Sequence, residues 1–245
     1  MHIRTNGIVI REQTISENDK LVTLLTQKKG VIRAFAHGAK SPRNRKSVAT
    51  QLFCYCDYDI YSGRGVFSVE EATVKETFFG LRDSIQALAL GQYFCELAAE
   101  LSPREEEADE YLKLLLNACY LLENGKRDRK LLKPIVELRF LVMSGYMPDL
   151  LCCGKCGAFE SDTMYFNTAN GELFCDKCND NQYNLPLSIS TVTAMRHVAF
   201  SDSDKLFSFS LKEGAMREFG EAVEEYLLRV TMRKYKTLDF YKIIE

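Results

Sequence analysis

The chain has 245 residues, 46% of them hydrophobic and 27% charged. That balance supports one or two ordinary domains with a buried core and excludes collagenous, low-complexity and disordered classes. The longest apolar runs, Leu52–Cys56 and Ala118–Leu122, are five residues each, far short of the roughly 18 of a membrane span. No apolar leader follows Met1, so a cytoplasmic protein without membrane contact is expected. Net charge is −2, but residues 1–80 hold twelve Lys and Arg against eight Asp and Glu, a balance of +4, leaving −6 for the rest. Nine cysteines, an odd number without an export signal, argue for reduced thiols, some of them metal ligands.

Up to about Val74 the pattern predicts strands: Ile8-Val9-Ile10, Leu21 to Leu25, Val31 to Phe35, Gln51 to Tyr61 and Val66 to Val74. Lys29-Gly30 and Ser62-Gly63-Arg64-Gly65 separate them as turns. Five short strands in so few residues suggest a small antiparallel barrel. Along the fourth, Phe53, Tyr55, Asp57, Asp59 and Tyr61 alternate with Leu52, Cys54, Cys56, Tyr58 and Ile60, so one face should be aliphatic and the other aromatic and charged. Beyond residue 76 the apolar period becomes helical. Helices are expected from Leu81 to Ser102, about 107–123, 129–144 and near 190–199. Ser210-x-x-Glu213 has the form of a capping box, so a long terminal helix should begin there. The fold class is α+β, with domains at 1–80 (barrel), 81–147 (helical), 148–180 (cysteine module) and 181–245 (helical again).

Cys153-x-x-Cys156 and Cys175-x-x-Cys178 are two pairs with eighteen residues between them, a spacing that suits one Zn²⁺ held by four thiolates. Four buried free thiols or an iron–sulfur cluster would use the same residues, and the adjacent Cys152 could replace Cys153. A metal closed by four cysteines has no position left for water or substrate and would be structural. The few aromatic and aliphatic residues between the pairs suggest that the metal supplies most of the local folding free energy.

Lys28, Lys29, Arg33, Lys40, Arg43, Arg45 and Lys46 place seven cations in nineteen residues with no acid among them. Ser41 to Ser47, with a proline and no apolar period, reads as a mobile cationic loop suited to phosphates, though charge runs are also ordinary solvated surface. Phe53, Tyr55 and Tyr61 on the neighbouring strand could stack bases beside those cations, with Arg64 at the rim; packing against the core or another domain is the other reading of the rings. Against an enzyme, the three histidines, His2, His37 and His197, are far apart in sequence, and no G-x-S-x-G, Walker A, H-E-x-x-H or G-x-G-x-x-G motif occurs.

Gly7-Ile8-Val9-Ile10-Arg11, Glu17-x-Asp19-x-Leu21-Val22, Ala36-x-Gly38-Ala39, Gly63-Arg64-Gly65, Pro148-x-Leu150-x-x-Cys153-x-x-Cys156-Gly157 and the basic end from Leu228 to Lys242 together resemble the RecO family of bacterial recombination mediators over nearly the whole chain. The resemblance implies an OB-fold barrel, a C4 zinc knuckle emerging from an α-helical region, and no hydrolase or transferase activity. It implies binding of single- and double-stranded DNA and annealing of strands coated by single-strand-binding protein. It also implies work with RecR, and with RecF, to load RecA in the RecFOR pathway of homologous recombination and repair, at the nucleoid. The acidic tail of single-strand-binding protein would need a basic site, for which Lys126, Arg127, Arg129, Lys130, Lys133 and Arg139 are candidates alongside a plain solvated helix face. A zinc-containing OB protein acting on RNA or in transcription remains the alternative, and an enzyme with a dispersed site a third.

Overall fold

Five strands close on themselves in the computed structural model, which describes residues 1–41, 43–63 and 65–245. They are β1 (His2–Thr14), β2 (Lys20–Thr26), β3 (Gly30–Ala36), β4 (Cys54–Gly63) and β5 (Val66–Thr77), in the order β1-β2-β3-β5-β4. Neighbours run antiparallel except β3 and β5, which meet in a short parallel pairing of Ala34 with Phe67 and Phe35 with Ser68. With the single-turn helix α1 (Lys46–Ala49) between β3 and β4, this is the closed arrangement of an OB-fold barrel.

Alternation fills the barrel as the sequence predicts. Val9, Val22, Leu24, Ile32, Ala34, Cys54, Cys56, Tyr58 and Ile60 point inward, and the Tyr58 hydroxyl donates to the Ala49 carbonyl at 2.7 Å, tying α1 over the barrel. The pattern breaks at residue 53. There the chain takes a left-handed turn (φ +72), and Phe53 is fully buried, against Gly91, where an added Cβ would come within 3.2 Å of its ring.

A 3₁₀ turn (Phe79–Asp83) leads into α2 (Ile85–Leu101) and α3 (Asp109–Glu123). Both helices pack on β1 and β2 and, with the segment between them, cover one end of the barrel's outer side. Ile8, Leu25 and Val31 form a cross-strand row there and are all buried. Gly30 belongs to this contact. Its φ is +54, and a Cβ would fall 2.0 Å from the Pro103 carbonyl oxygen, so no larger residue fits. Residues 235–245 return to the same region as α7 (Lys236–Ile244), which packs on α2. Glu96 of α2 caps its start by accepting from the Thr237 N–H at 3.2 Å and from the Thr237 hydroxyl. Met1–Lys126 and Tyr235–Glu245 form one compact unit, and Arg127–Lys234 form a second.

The second unit holds α4 (Arg129–Met143), a four-stranded sheet, α5 (Ile189–Phe200) and α6 (Glu213–Thr231). Its strands β6 (Asp149–Cys153), β7 (Met164–Asn167), β8 (Glu172–Cys175) and β9 (Leu185–Leu187) lie in the order β6-β8-β7-β9. Residues 131–138 of α4 are buried without interruption, which removes any polar face along that stretch. The expected capping box at Ser210 does not form: α6 starts at Glu213, with Lys212 in the N-cap position and no side-chain cap. The single closing helix is also two helices, because Met232 turns left-handed (φ +51) between α6 and α7. Among the described residues no helix is long and apolar enough to cross a membrane.

Candidate nucleic-acid interface and metal centre

Strand register decides which side chains share the outer side of the barrel. Arg11 pairs with Thr23 and Thr23 with Arg33, so two exposed guanidinium groups flank a threonine in one row. The next row is Gln13, Leu21 and Phe35. These rows form the open half of the β1–β3 face, beyond the end covered by α2 and α3, and strands 2 and 3 carry the ligand surface of OB folds. Sequence reasoning missed Arg11 and Phe35; the period-two pattern of β3 puts Phe35 on the side of Arg33, whereas Arg11 faces that side only because of a bulge after the inward-pointing Val9.

The loop after β3 adjoins this surface, and it is held in place. Lys40 N–H donates to Asn18 O at 3.1 Å, Gly38 N–H to Asp19 Oδ1 at 2.9 Å, and Asn44 Nδ2 to Gly38 O at 3.0 Å. Lys40, Arg43 and Arg45 are exposed on it. Lys46 belongs to α1 instead, half-buried with its ammonium on the Val69 carbonyl at 3.1 Å. Lys28 and Lys29 lie in the β2–β3 turn at the far end of β3, about 20 Å away at 3.3 Å per residue. The seven-cation run is therefore split between two ends of a strand. Arg64 lies outside the described residues.

The predicted neighbourhood of aromatic rings and cations does not form on β4. Phe53 is core and has no face to offer a base. Tyr55 (half-buried) and Tyr61 (44% exposed) do point outward, but β4 lies between β1 and β5, two strands round the barrel from either β2 or β3. Their surroundings are predominantly acidic, although Lys75 lies over the Tyr55 ring at 5.6 Å and 3.4 Å from Asp57. Asp57 and Asp59 stand between them on β4, Asp59 pairs directly with Glu71, and Tyr55 with Glu76. A hydrogen bond from His2, with Arg4 beyond it, holds the Asp59 carboxyl below its ordinary range and hence ionised. An open hollow of about 420 Å³ on this side is lined by Arg4, Lys28, Asp57, Asp59 and Glu71. The barrel thus biases charge: exposed cations predominate on the open β1–β3 face and its loop, where Glu12 and Asp19 are taken up by Lys20 and by the Gly38 N–H, and carboxylates predominate on β4 and β5, where Lys75 and Arg4 answer Asp57 and Asp59.

In the second unit the sulfurs of Cys153, Cys156, Cys175 and Cys178 lie within 4.8 Å of one another. Cys156 and Cys175 are 3.7 Å apart, close to the edge of about 3.8 Å of a tetrahedron with 2.3 Å metal–sulfur bonds. The first pair sits at the end of β6 in a turn closed by Gly157 N–H on Cys153 O at 2.9 Å, with Gly157 at φ +74; the second sits at the end of β8, closed by Cys178 N–H on Cys175 O at 3.0 Å. Cys152 is outside the group. Burial pushes the Cys153 thiol up, but N–H groups of Cys175, Cys156 and Lys155 outweigh it and bring it down to about 6. Cys178, sharing hydrogen bonds with the Cys156 and Cys175 sulfurs, is pushed up to about 12. Four thiols this close cannot all ionise unaided; a dication removes that conflict, so the group can hold a metal ion. The surrounding sheet also has packing of its own against the helices of this unit. Met164, Phe166 and Leu173 are buried, Phe166 meets Tyr226 of α6 edge to face at 5.6 Å, and Arg196 of α5 donates to the carbonyls of Leu150, Leu151 and Phe159.

Two family profiles cover nearly the whole sequence: one described as Recombination protein O N terminal matches residues 1–78, and one described as Recombination protein O C terminal matches residues 82–239. The chain belongs to the RecO family. It is 29% identical over 245 residues to the DNA repair protein RecO of Acetivibrio thermocellus, covering 100% of this chain and 98% of that protein. It is 31% identical over 239 residues to the DNA repair protein RecO of Symbiobacterium thermophilum, covering 96% and 94%.

The cations that the RecO resemblance offers for an acidic partner divide once placed. Lys133 is not a surface residue: it is 7% exposed, with its ammonium 2.9 Å from Glu137 and 2.8 Å from Glu224. Arg127 is spent on the carbonyls of Phe207 and Phe209, and Arg139 on those of Val198 and Ala199 at the end of α5. Lys126, Arg129 and Lys130 are exposed, Lys126 lying over the Tyr120 ring at 4.4 Å.

Proposed function

We propose that this RecO-family chain is a non-enzymatic, cytoplasmic DNA-binding protein of recombinational repair that anneals complementary strands. The observation that carries the reading is the uneven charge on the barrel. Arg11, Arg33, Lys40, Arg43 and Arg45 sit on one side of it and the β4–β5 carboxylates on the other. Cations that neutralise phosphates release condensed counterions, which drives binding. Such contacts read no sequence and leave base edges free. Two strands whose repulsion is lowered in this way can then pair, with no nucleotide consumed. The carboxylate side repels a polyanion and confines it to the opposite face.

The relatives named DNA repair protein RecO support the repair assignment. The family resemblance adds RecR, RecF, RecA and the acidic tail of single-strand-binding protein as partners. For that tail, Lys126, Arg129 and Lys130 remain as available cations. The metal we assign to Cys153, Cys156, Cys175 and Cys178 is zinc, which when bound crosslinks two turns and, with four protein ligands, leaves no open position for chemistry.

The test is annealing of complementary strands coated by single-strand-binding protein, without nucleotide, by wild type beside Arg43→Glu/Arg45→Glu. A large loss with an unchanged circular dichroism spectrum is expected. Annealing by the variant at the wild-type rate overturns the reading.

A further inference from the structure

Phosphate binding leaves two rings on the cationic side of the barrel without a role. Phe35 and His37 follow each other at the strand period, and their rings are parallel within 6° with centroids 6.1 Å apart. Phe35 is half-buried, and the His37 side chain is 65% exposed. The barrel interior is filled by other residues, Ile32 and Ala34 of the same strand among them, so core packing does not require either ring. The imidazole is also aimed. Its Nδ1 lies 3.6 Å from Asp19 Oδ1, the same oxygen that accepts the Gly38 N–H. That N–H is the main cause holding the Asp19 carboxyl below its ordinary range. Asn44, bonded to the Gly38 carbonyl, ties the loop segment that carries Arg43 and Arg45 to the residue that follows His37, while Arg33 lies one strand repeat before Phe35.

From this juxtaposition we infer that Phe35 and His37 form a base-stacking platform for single-stranded DNA, with Arg33, Arg43 and Arg45 holding the flanking phosphates. The inference rests on the DNA-binding reading above and adds a substrate preference to it. Every base has a π-face, so stacking on phenyl and imidazole rings tolerates any sequence. Bases in a duplex are already stacked and cannot use the platform. Cations alone bind both forms; the rings favour the single strand, the form that must be held before annealing.

The experiment measures binding of the full chain by fluorescence anisotropy to a labelled oligothymidine, to the same strand carrying abasic residues, and to a duplex. Wild type is expected to bind the abasic strand roughly 5- to 150-fold more weakly, the range for one stacked base. His37→Ala should bind intact oligothymidine with a similar loss, gain little further loss from base removal, and keep duplex affinity within about twofold of wild type. His37→Phe, which keeps a ring and carries no charge, should restore the preference. Phe35→Leu, which retains an apolar packing group, should lower it again. If His37→Ala stays as sensitive to base removal as wild type, or His37→Phe is as weak as His37→Ala, the platform is refuted while DNA binding stands. Failure of wild type to bind any of the three ligands removes the DNA reading and the platform with it.

Discussion

Replacing Arg43 and Arg45 by alanine removes two of the five exposed cations, Arg11, Arg33, Lys40, Arg43 and Arg45, that share the open β1–β3 face and its loop. If each neutralises one phosphate of a single strand, log K should fall with log salt at a slope of about −3.5 in wild type and about −2.1 in the double variant, at 0.7 per phosphate. Between 50 and 200 mM salt, affinity should then drop about 130-fold for wild type and about 18-fold for the variant. Anisotropy titrations at four salt concentrations give both slopes. Lys28→Ala/Lys29→Ala is the internal control, since those residues lie at the other end of β3; its slope should match wild type. Equal slopes for wild type and Arg43→Ala/Arg45→Ala would refute the assignment of the loop to phosphate. A reduced slope in the Lys28/Lys29 variant would mean that the cations act as the single cluster that sequence proximity suggests.

Two further outcomes follow from the second unit. Lys133→Met leaves Glu137, whose side chain is fully buried, without the ammonium between it and Glu224, and should destabilise the chain by about 3–5 kcal/mol in urea unfolding; replacing Glu137 and Glu224 by apolar residues as well should recover most of that, and a wild-type midpoint for Lys133→Met would contradict the buried ion triad. Protein purified without chelator should carry about one equivalent of zinc, and its removal should speed hydrogen exchange most in the two turns that hold the cysteine pairs, with β7 and β8 partly protected because Phe166 and Leu173 keep their packing and the barrel strands unchanged; less than half an equivalent of zinc, or no change in exchange on removal, counts against the assignment.

What the sequence made legible is what local rules control. The four cysteines could be read from spacing because coordination fixes it. The alternation of β4 could be read from Cys54 to Tyr61 because one side of the strand is buried and the other wet. Phe53 escaped that pattern because its own left-handed backbone just before the strand sets its ring against Gly91 of α2, and no glycine marks the turn. Proximity in sequence misled for the cations, because an extended strand separates Lys29 from Arg33 and Lys40 while cross-strand pairing brings the distant Arg11 to Arg33. Lys133 looked like surface because charged residues usually are; it sits in the stretch of α4, residues 131–138, that is buried without interruption, and its two carboxylate partners include one that is 91 positions away. The break at Met232 had no proline or glycine to announce it.

The return of residues 235–245 to the barrel unit sets an order of events in biosynthesis. Domains tend to fold in turn as they leave the ribosome, yet here the surface of α2 that α7 covers, and Glu96 that caps α7, must wait until all of residues 127–234 have been translated. The barrel can close early, but its neighbouring helix α2 stays partly uncovered for the time it takes to make more than a hundred amino acids. Nascent chains stalled just before Tyr235 should therefore be the ones most open to proteolysis and to capture by chaperones.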